Sequence, residues 1–359
     1  MAVITVNGPI EKETLGITLP HEHLFIDLSF VFKPPKDPVL RDYATRDISP
    51  ADLRLLKYDL GAIKSNLILD DTSLAASELG YFTRAGGRAI VEQSTVGAGR
   101  REAEMQALSK KTGVHVVVGS GFYVRESLPE DIVKADEEEL ALRMIEEMQG
   151  GIGRSGIRPG VIGEIGISAR IGDWDRKVLK AAARVQKETG RAISVHIQAV
   201  PTLKEFSGEQ NGLEALGILE HARADLSRVI ICHTDSKIDL SYLRKIIARG
   251  SYAELDHFGK DFYFTESGFL MDRDMDRVLA VRQLVEDGSA PRILISQDVC
   301  LRTDLVAYGG FGYGHILEHI VPLMRRNGIG ADAIHTIMVD NPARLLDVSA
   351  HYVEGRGKT

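Results

Sequence analysis

Short runs of aliphatic and β-branched residues alternate along the chain with longer amphipathic stretches. The short runs are apolar at successive positions, which is typical of parallel strands that are covered on both faces. Eight such runs predict strands: Gly16–Leu19, Arg88–Gln93, Val114–Gly119, Gly160–Ile165, Ala192–His196, Arg228–His233, Tyr252–Leu255 and Arg292–Ser296.

The stretches between these runs have the apolar spacing of helices with one buried face. They predict helices over Asp70–Ala85, Arg100–Thr112, Glu137–Met148, Asp175–Thr189, Gly212–Ala222, Leu240–Ala248, Met275–Asp287 and Tyr313–Arg326. This succession of β-then-α units predicts an α/β protein with the (β/α)₈ TIM-barrel fold, in which residues 1–359 form a single domain. A doubly wound sheet is the alternative fold with the same alternation.

One long polar segment interrupts the alternation. Phe30–Leu69 lies between the first strand and its helix and contains the run Lys33-Pro34-Pro35-Lys36. It predicts a long loop after strand 1, with a short helix, over the mouth of the barrel. Ordered loops of this length are commonly functional lids.

A glycine-rich segment resembles a dinucleotide-binding motif only in its spacing. Gly151, Gly153 and Gly156 follow a predicted helix and precede a predicted strand, whereas the motif requires a strand first and a helix after it. The segment therefore predicts a helix cap and a turn. The sequence also contains no G-x-x-x-x-G-K-[ST] phosphate loop, which disfavours a nucleotide-binding protein.

Composition narrows the class of protein further. The 359 residues are 44% hydrophobic with a net charge of −7, and basic residues cluster only in pairs, so no nucleic-acid partner is expected. No apolar run is long enough to span a membrane, and no signal peptide is visible. Cys232 and Cys300 lie outside any Cys-x-x-Cys motif and are expected to be reduced, as in a cytoplasmic protein. We also expect a homodimer.

The candidate chemistry begins at the end of the first strand, where His21 and His23 form a His-x-His pair. Residues two apart on a strand point to the same face, so both imidazoles can reach one metal ion, while Glu22 points the other way. Later strands also end on ligand-type residues: Glu164 on strand 4, His196 on strand 5, His233 on strand 6, Asp256 and His257 on strand 7, and Asp298 on strand 8.

The carboxyl ends of barrel strands meet at one mouth, so these side chains should converge there. Four imidazoles and two carboxylates suit two divalent cations that share a bridging carboxylate, with zinc the first choice for an imidazole-rich set. The predicted ligands are His21, His23, Glu164, His196, His233 and Asp298.

On these residues the chain resembles the phosphotriesterase family of the amidohydrolase superfamily. The resemblance extends to Gly309–His315 after strand 8 and to Val339–Leu345 near the end of the chain. It implies that His21, His23 and Asp298 hold the more buried metal ion, and that His196 and His233 hold the more exposed one.

The chain departs from many family members at two positions. A carboxylated lysine on strand 4 often bridges the metals, whereas strand 4 here carries Gly163-Glu164, which is similar to the phosphotriesterase homology proteins and implies that Glu164 is the bridge. Ser236 stands where phosphotriesterases place a second acid after His233.

The expected reaction is hydrolysis of an ester bond by a metal-activated hydroxide. Asp298 is the predicted acceptor of the water proton. His257 is either the next acceptor or a histidine that only holds the loop after strand 7.

Side chains in the loops after the strands suggest the substrate. Tyr123 and Phe122 follow strand 3, Trp174 lies in loop 4, and Arg302 begins the loop after Asp298. Together with Arg170 and Lys237, Arg302 favours an anionic substrate such as a phosphodiester or a phosphonate monoester. Lactone or phosphotriester hydrolysis is the alternative activity, and a non-catalytic protein that binds a small molecule on the same scaffold is the alternative class.

Overall fold

The computed structural model describes residues 2–197, 211–264 and 269–349. Its central sheet has eight parallel strands, and neighbours in the sheet are neighbours in sequence. We label them β1 Thr18–Glu22, β2 Ala89–Glu92, β3 His115–Ser120, β4 Val161–Ile167, β5 Ile193–Ile197, β6 Val229–Ile231, β7 Tyr252–Leu255 and β8 Ile293–Ile295. The backbone N–H of Asp298 donates to the carbonyl of His21 at 3.1 Å, which brings the end of β8 back to the end of β1. The barrel is therefore confirmed over the doubly wound sheet.

A helix follows every strand of the barrel. These helices are α1 Thr72–Arg84, α2 Glu102–Thr112, α3 Glu137–Gly150, α4 Asp173–Thr189, α5 Asn211–His221, α6 Leu240–Ala248, α7 Asp274–Glu286 and α8 Val321–Arg326. The prediction of a regular helix over Tyr313–Arg326 is wrong at its start, because a π-helical turn over Ile316–Ile320 precedes α8. The Tyr313 hydroxyl donates to the carbonyl of His23 at 2.7 Å, which holds this segment at the barrel mouth instead of in a helix.

Shorter elements complete the described part of the chain. Three antiparallel pairs, Ala2–Thr5 with Gly8–Glu11, Ile26–Asp27 with Ile68–Leu69, and Tyr263–Phe264 with Phe269–Leu270, lie outside the barrel. Further helical segments are Glu130–Lys134, Ala331–His335, the π-helical Thr336–Asp340, and Asn341–Leu346. No helix in this part of the chain combines the length and hydrophobicity needed to cross a membrane.

The segment between β1 and α1, which we call the insertion (residues 28–71), carries the predicted helical structure. It contains the helices Pro38–Thr45 and Leu53–Leu56. Arg302 ties it to the barrel, because its guanidinium donates to the carbonyl of Ile68 at 3.0 Å. The same guanidinium pairs with Asp47 at 3.3 Å and with Asp70 at 3.4 Å.

The glycine-rich segment after α3 is a turn, as predicted. The N–H of Gly151 donates to the carbonyl of Glu147 at the end of α3, and the N–H of Ile152 donates to the carbonyl of Ile157, each at 2.9 Å. These bonds close a loop that leads directly into β4.

Glycine is required inside β4, one residue before the predicted bridging carboxylate. Gly163 has a φ of 131°, and a Cβ at this position would lie 2.5 Å from the carbonyl oxygen of Ser194 on β5. The close approach of the two strand backbones therefore depends on the missing side chain. This close approach of β4 and β5 also fixes the position at which the side chain of Glu164 leaves the strand.

We expect Gly163→Ala to lower the free energy of unfolding by at least about 2 kcal/mol, because both its φ and its close contact oppose a side chain. The measurement is the urea midpoint at constant m-value. Gly217→Ala is the matched control, since a Cβ there meets nothing within 4 Å and the residue lies inside α5. The control should be neutral or slightly stabilising. Equal midpoints for the two variants would contradict the requirement for glycine.

Candidate metal centre

The predicted metal ligands converge at the carboxyl ends of the barrel strands. The side chains are nearly inaccessible to solvent except those of His196 and Asp298, which are 14% and 11% exposed. They come from five strand ends. His21 lies in β1 and His23 directly after it, Glu164 lies in β4, His196 lies in β5, His233 is the second residue after β6, and Asp298 lies in the loop after β8.

A single oxygen of Glu164 lies at the centre of the cluster. Its Oε1 is 2.7 Å from Nδ1 of His196 and 3.3 Å from Nε2 of both His21 and His233. Burial alone would raise the pKa of Glu164, but the His196, His21 and His233 imidazoles together lower that pKa well below its usual value. An ionised carboxylate among three imidazoles is the arrangement of a ligand shared by two cations.

Asp298 and His23 form the other side of the cluster. Oδ1 of Asp298 is 3.2 Å from Nε2 of His23 and 3.9 Å from Nε2 of His21. Burial opposes ionisation of Asp298, yet Lys260 and the imidazole of His23 lower its pKa well below the usual value. His21 thus faces both carboxylates.

Two atoms in this cluster have no hydrogen-bond partner among the described residues. They are Nε2 of His21 and Oε2 of Glu164, and both are buried. Buried polar atoms without partners are rare, and each costs free energy unless something else satisfies it. In addition, Nδ1 of His196 and Nε2 of His233 approach each other to 2.8 Å. The set therefore fits divalent cations for two reasons: its donor atoms are of the right kind, and two of them lack a hydrogen bond that a cation would replace.

Acceptors behind the histidines fix their orientation. Nδ1 of His21 is 3.1 Å from Oε2 of Glu254, and Nδ1 of His233 is 3.0 Å from Oδ1 of Asp256. Nδ1 of His23 is 2.9 Å from the hydroxyl of Ser94. When these Nδ1 atoms carry the proton, Nε2 of each ring is left free to bind a cation. For His21 and His233, the carboxylate behind the ring also makes the imidazole a stronger metal ligand.

Sequence reasoning missed Glu254 and Ser94, although one signal pointed to the first. Glu254 and Asp256 are two apart at the end of β7, so their side chains share a face, and both are completely buried. A second acid on the inward face of a buried strand is unusual enough to indicate a partner for a ligand histidine.

Two of the ligands occupy left-handed backbone conformations. His233 has a φ of 57° and Asp298 a φ of 50°. Such conformations cost free energy in residues with side chains and persist only when neighbours hold them. The carboxylate of Asp256 accepts the N–H of His233 at 3.0 Å from each oxygen, and so supports both the backbone and the ring of this ligand.

Glu22 supports the left-handed backbone of Asp298 in a similar way. Its side chain faces away from the histidines, as the alternation along β1 predicts, and accepts the N–H groups of Gln297 at 2.9 Å and Val299 at 2.8 Å. These residues flank Asp298 on either side. Burial raises the pKa of Glu22 to about 7.

His257 lies beside Asp298 and is oriented from behind. Its Nε2 is 3.8 Å from Oδ2 of Asp298, and its Nδ1 is 3.0 Å from Oδ1 of Asp235. The ring also stacks on His233 at 4.9 Å between centroids. Asp235 is held in turn by the buried guanidinium of Arg277 at 2.7 Å. An acid therefore does face His257, but it comes from Asp235 and not from the position of Ser236.

Within the described residues Lys260 is a buried cation in contact with a predicted ligand, and sequence reasoning missed it. Its Nζ is 2.8 Å from Oδ2 of Asp298 and 3.2 Å from Sγ of Cys300, and its side chain is 7% exposed. Burial would lower the pKa of Lys260, but Asp298, Cys300 and Asp304 raise it well above the usual value. Nothing in the local sequence marks this lysine, because its contacts come from the loop after β8.

The predicted substrate residues have different surroundings. The ring of Tyr123 lies edge-on to His196 at 4.9 Å, and Phe30 of the insertion approaches Tyr123 at 6.1 Å. Trp174 is 93% buried in the hydrophobic core at the start of α4, with the ammonium of Lys177 4.8 Å from its ring. The guanidinium of Arg302 contacts Ile68, Asp47 and Asp70 of the insertion. The structure thus brings Tyr123, but neither Trp174 nor Arg302, against the ligand cluster.

Comparison with known proteins gives a consistent assignment. The family model described as the phosphotriesterase family matches residues 1–346. A protein of Tetraodon nigroviridis named N-acetyltaurine hydrolase is 36% identical over 351 residues, which cover 96% of this chain and 97% of that protein.

Two solved structures are also similar. A resiniferatoxin-binding protein from Rhodobacter sphaeroides has a TM-score of 0.90 at 34% identity, over 99% of this chain and 96% of that chain. The phosphotriesterase homology protein from Escherichia coli, complexed with phosphate in its active site, has a TM-score of 0.75 at 28% identity, over 93% of this chain and 99% of that chain. The resemblance inferred from the strand ends is confirmed: the chain belongs to the phosphotriesterase family.

Proposed function

We propose that this protein is a binuclear metal-dependent hydrolase that cleaves the amide bond of a small N-acyl compound carrying an acidic group. The observation that carries the proposal is the cluster of four imidazoles and two carboxylates. In this cluster Nε2 of His21 and Oε2 of Glu164 are buried without a hydrogen bond to any described residue. The substrate class comes from the Tetraodon relative, whose name makes N-acetyltaurine the first compound to test. That relative favours an amide over the ester expected from the sequence, while the expectation of an anionic substrate is retained.

The ligand assignment follows the two halves of the cluster. His21, His23 and Asp298 would hold one cation, His196 and His233 the other, and Glu164 would be shared between them. Zinc is the first choice for this imidazole-rich set. When bound, two such cations make a water molecule acidic enough to act as a nucleophile near neutral pH and polarise the carbonyl group.

The protein side chains provide the proton transfers. Asp298 takes the proton of the attacking water, because its carboxylate is ionised and lies among the ligands. His257, 3.8 Å from Oδ2 of Asp298 and oriented by Asp235, is placed to hold that proton. The same proton is needed on the departing nitrogen, since the carbon–nitrogen bond of an amide breaks readily only when the amine leaves in neutral form. Tyr123 narrows the mouth beside His196.

A second candidate function is binding without catalysis. It is favoured by the Rhodobacter structure, whose name describes a protein that binds resiniferatoxin. The six ligand side chains of this chain favour catalysis instead, because each retains a competent donor atom. The phosphate in the Escherichia coli structure keeps phosphorus esters among the substrates to be tested.

The substrate panel is the direct test. Metal-loaded protein should hydrolyse N-acetyltaurine faster than a phosphodiester, a phosphonate monoester, a lactone or a phosphotriester, as measured by kcat/KM for each. Turnover of a phosphorus ester or lactone in place of the amide would move the assignment to ester chemistry. Saturable binding of resiniferatoxin without turnover of any panel member would establish the binding function instead.

Elemental analysis should find close to two equivalents of divalent metal in protein purified without chelator.

Glu164→Gln should lose metal and most activity, because it removes the negative charge shared by two cations. Glu78→Gln is the control, since Glu78 is also a buried carboxylate but its two oxygens accept the N–H groups of Val306 and Ala307. Restoration of activity by bicarbonate would point to a carboxylated lysine and contradict a bridging glutamate.

Asp298→Asn keeps the size of the side chain but removes the proton acceptor. We expect kcat to fall by about 10²- to 10⁴-fold, which is the usual effect of losing a general base. The loss of turnover should exceed the loss of metal, measured on the same preparation. Full metal content with near-normal kcat would exclude Asp298 from the proton transfer.

A further inference from the structure

We propose that Lys260 binds the acidic group of the substrate, in a cavity that opens beside the metal ligands. This inference rests on the proposed function, because it names the part of that substrate which is recognised and the residue that recognises it.

The cavity lies between the insertion and the loops that follow β7 and β8. Its volume is about 530 Å³, which is within the range of small-molecule sites, about 300–1,000 Å³. Leu53 and Leu56 of the insertion, together with Phe258 and Val299, form apolar parts of the wall, and Lys260 borders the same space. The lining also includes the cations Lys57 and Arg273 and the acids Asp261, Asp274 and Asp304. Among the cations of this wall, Lys260 is the buried one.

Lys260 has a donor to spare. An ammonium group has three N–H bonds, and here one points to Asp298 and another to Cys300. The carboxylate of Asp304 lies 3.8 Å from Nζ, which is an ion-pair contact beyond hydrogen-bond distance. Within residues 2–197, 211–264 and 269–349 the third N–H therefore makes no hydrogen bond. A sulfonate or carboxylate oxygen in the cavity would supply one, and hydrogen bonds between charged partners are the stronger kind.

Position distinguishes Lys260 from the other basic residues near the mouth. Lys57 also borders the cavity, but its side chain is 55% exposed and pairs with Asp261 at 3.1 Å. Arg302 is bound by the insertion, and Lys237 is 66% exposed beside Asp272. Exposed cations are screened by water, whereas a buried one attracts an anion strongly.

The distance from Lys260 to the ligands limits the shape of the substrate. A single carboxylate separates them, since Asp298 contacts Nζ of Lys260 at 2.8 Å with Oδ2 and Nε2 of His23 at 3.2 Å with Oδ1. An anion held by Lys260 is therefore only a few bonds away from a carbonyl group at the metal ligands. The two-carbon spacer of an N-acyl aminosulfonate such as N-acetyltaurine meets this requirement.

The experiment compares two amides that differ in charge. N-acetyltaurine carries a sulfonate, and N-acetylethanolamine carries a neutral hydroxyl on the same two-carbon spacer. Metal-loaded wild type should prefer the sulfonate in kcat/KM. Lys260→Met, which keeps the length of the side chain without its charge, should raise KM for N-acetyltaurine by about 10- to 100-fold. KM for the neutral amide should change by less than about threefold.

Two further variants separate recognition of the anion from a structural effect. Lys260→Arg retains a cation and should recover part of the affinity for the sulfonate. Lys134→Met removes an exposed lysine that pairs with Glu130 on the protein surface, and should leave both KM values unchanged. Metal content is measured for each variant, so that a loss of metal through Asp298 is recognised as such.

Equal changes in KM for the two amides in Lys260→Met, or no change in either, would overturn the proposal and leave Lys260 as a positioning residue for Asp298. Failure of the proposed function has a different signature, in which wild type hydrolyses neither amide. Calorimetric titration with ethanesulfonate then tests Lys260 separately. Wild type should bind this anion, and Lys260→Met should bind it at least tenfold more weakly.

Discussion

The whole site depends on one constraint, which is that the Oε1 atom of Glu164 lies within 3.3 Å of three imidazole nitrogens inside the barrel mouth. Ionised groups taken out of water are costly unless opposite charge is close by. Asp298, Glu254 and Asp256 add further carboxylates to the same buried region. Lys260 supplies one compensating positive charge, and two divalent cations would supply the rest. Metal binding would therefore be coupled to the stability of this end of the barrel.

The surrounding residues make this arrangement possible by accepting strain and supporting it. Gly163 allows the backbones of β4 and β5 to approach, which brings Glu164 towards His196. His233 and Asp298 hold left-handed backbone conformations. Asp256 and Glu22 stabilise those conformations through backbone N–H groups. The acids nearest the centre are thus either predicted ligands or acceptors that hold the backbone or ring of a predicted ligand. The two kinds are interleaved in sequence: Glu22, which accepts the N–H groups on either side of Asp298, lies between His21 and His23.

The sequence predicts the fold and the ligand cluster because both follow from short-range pattern. Apolar runs mark all eight strands in the places where the structure has them, and the carboxyl ends of barrel strands must meet, so ligand-type residues at those ends predict one site. The parts that were missed depend on contacts between distant segments. The contacts of Lys260, the partners of Arg302 and the π-helical turn before α8 are determined by loops that approach each other only in the folded chain.

The division between strands and loops also explains how one scaffold supports different substrates. The predicted metal ligands come from strand ends, whose positions are fixed by the backbone hydrogen bonds of the barrel. The walls of the adjacent cavity come from the insertion and from the loops after β7 and β8, which can change without moving a ligand. A neutral triester would require an apolar wall throughout. In the proposed function, the ammonium of Lys260 beside Asp298 would instead give the same metal chemistry a preference for anions. The change would depend on one loop residue.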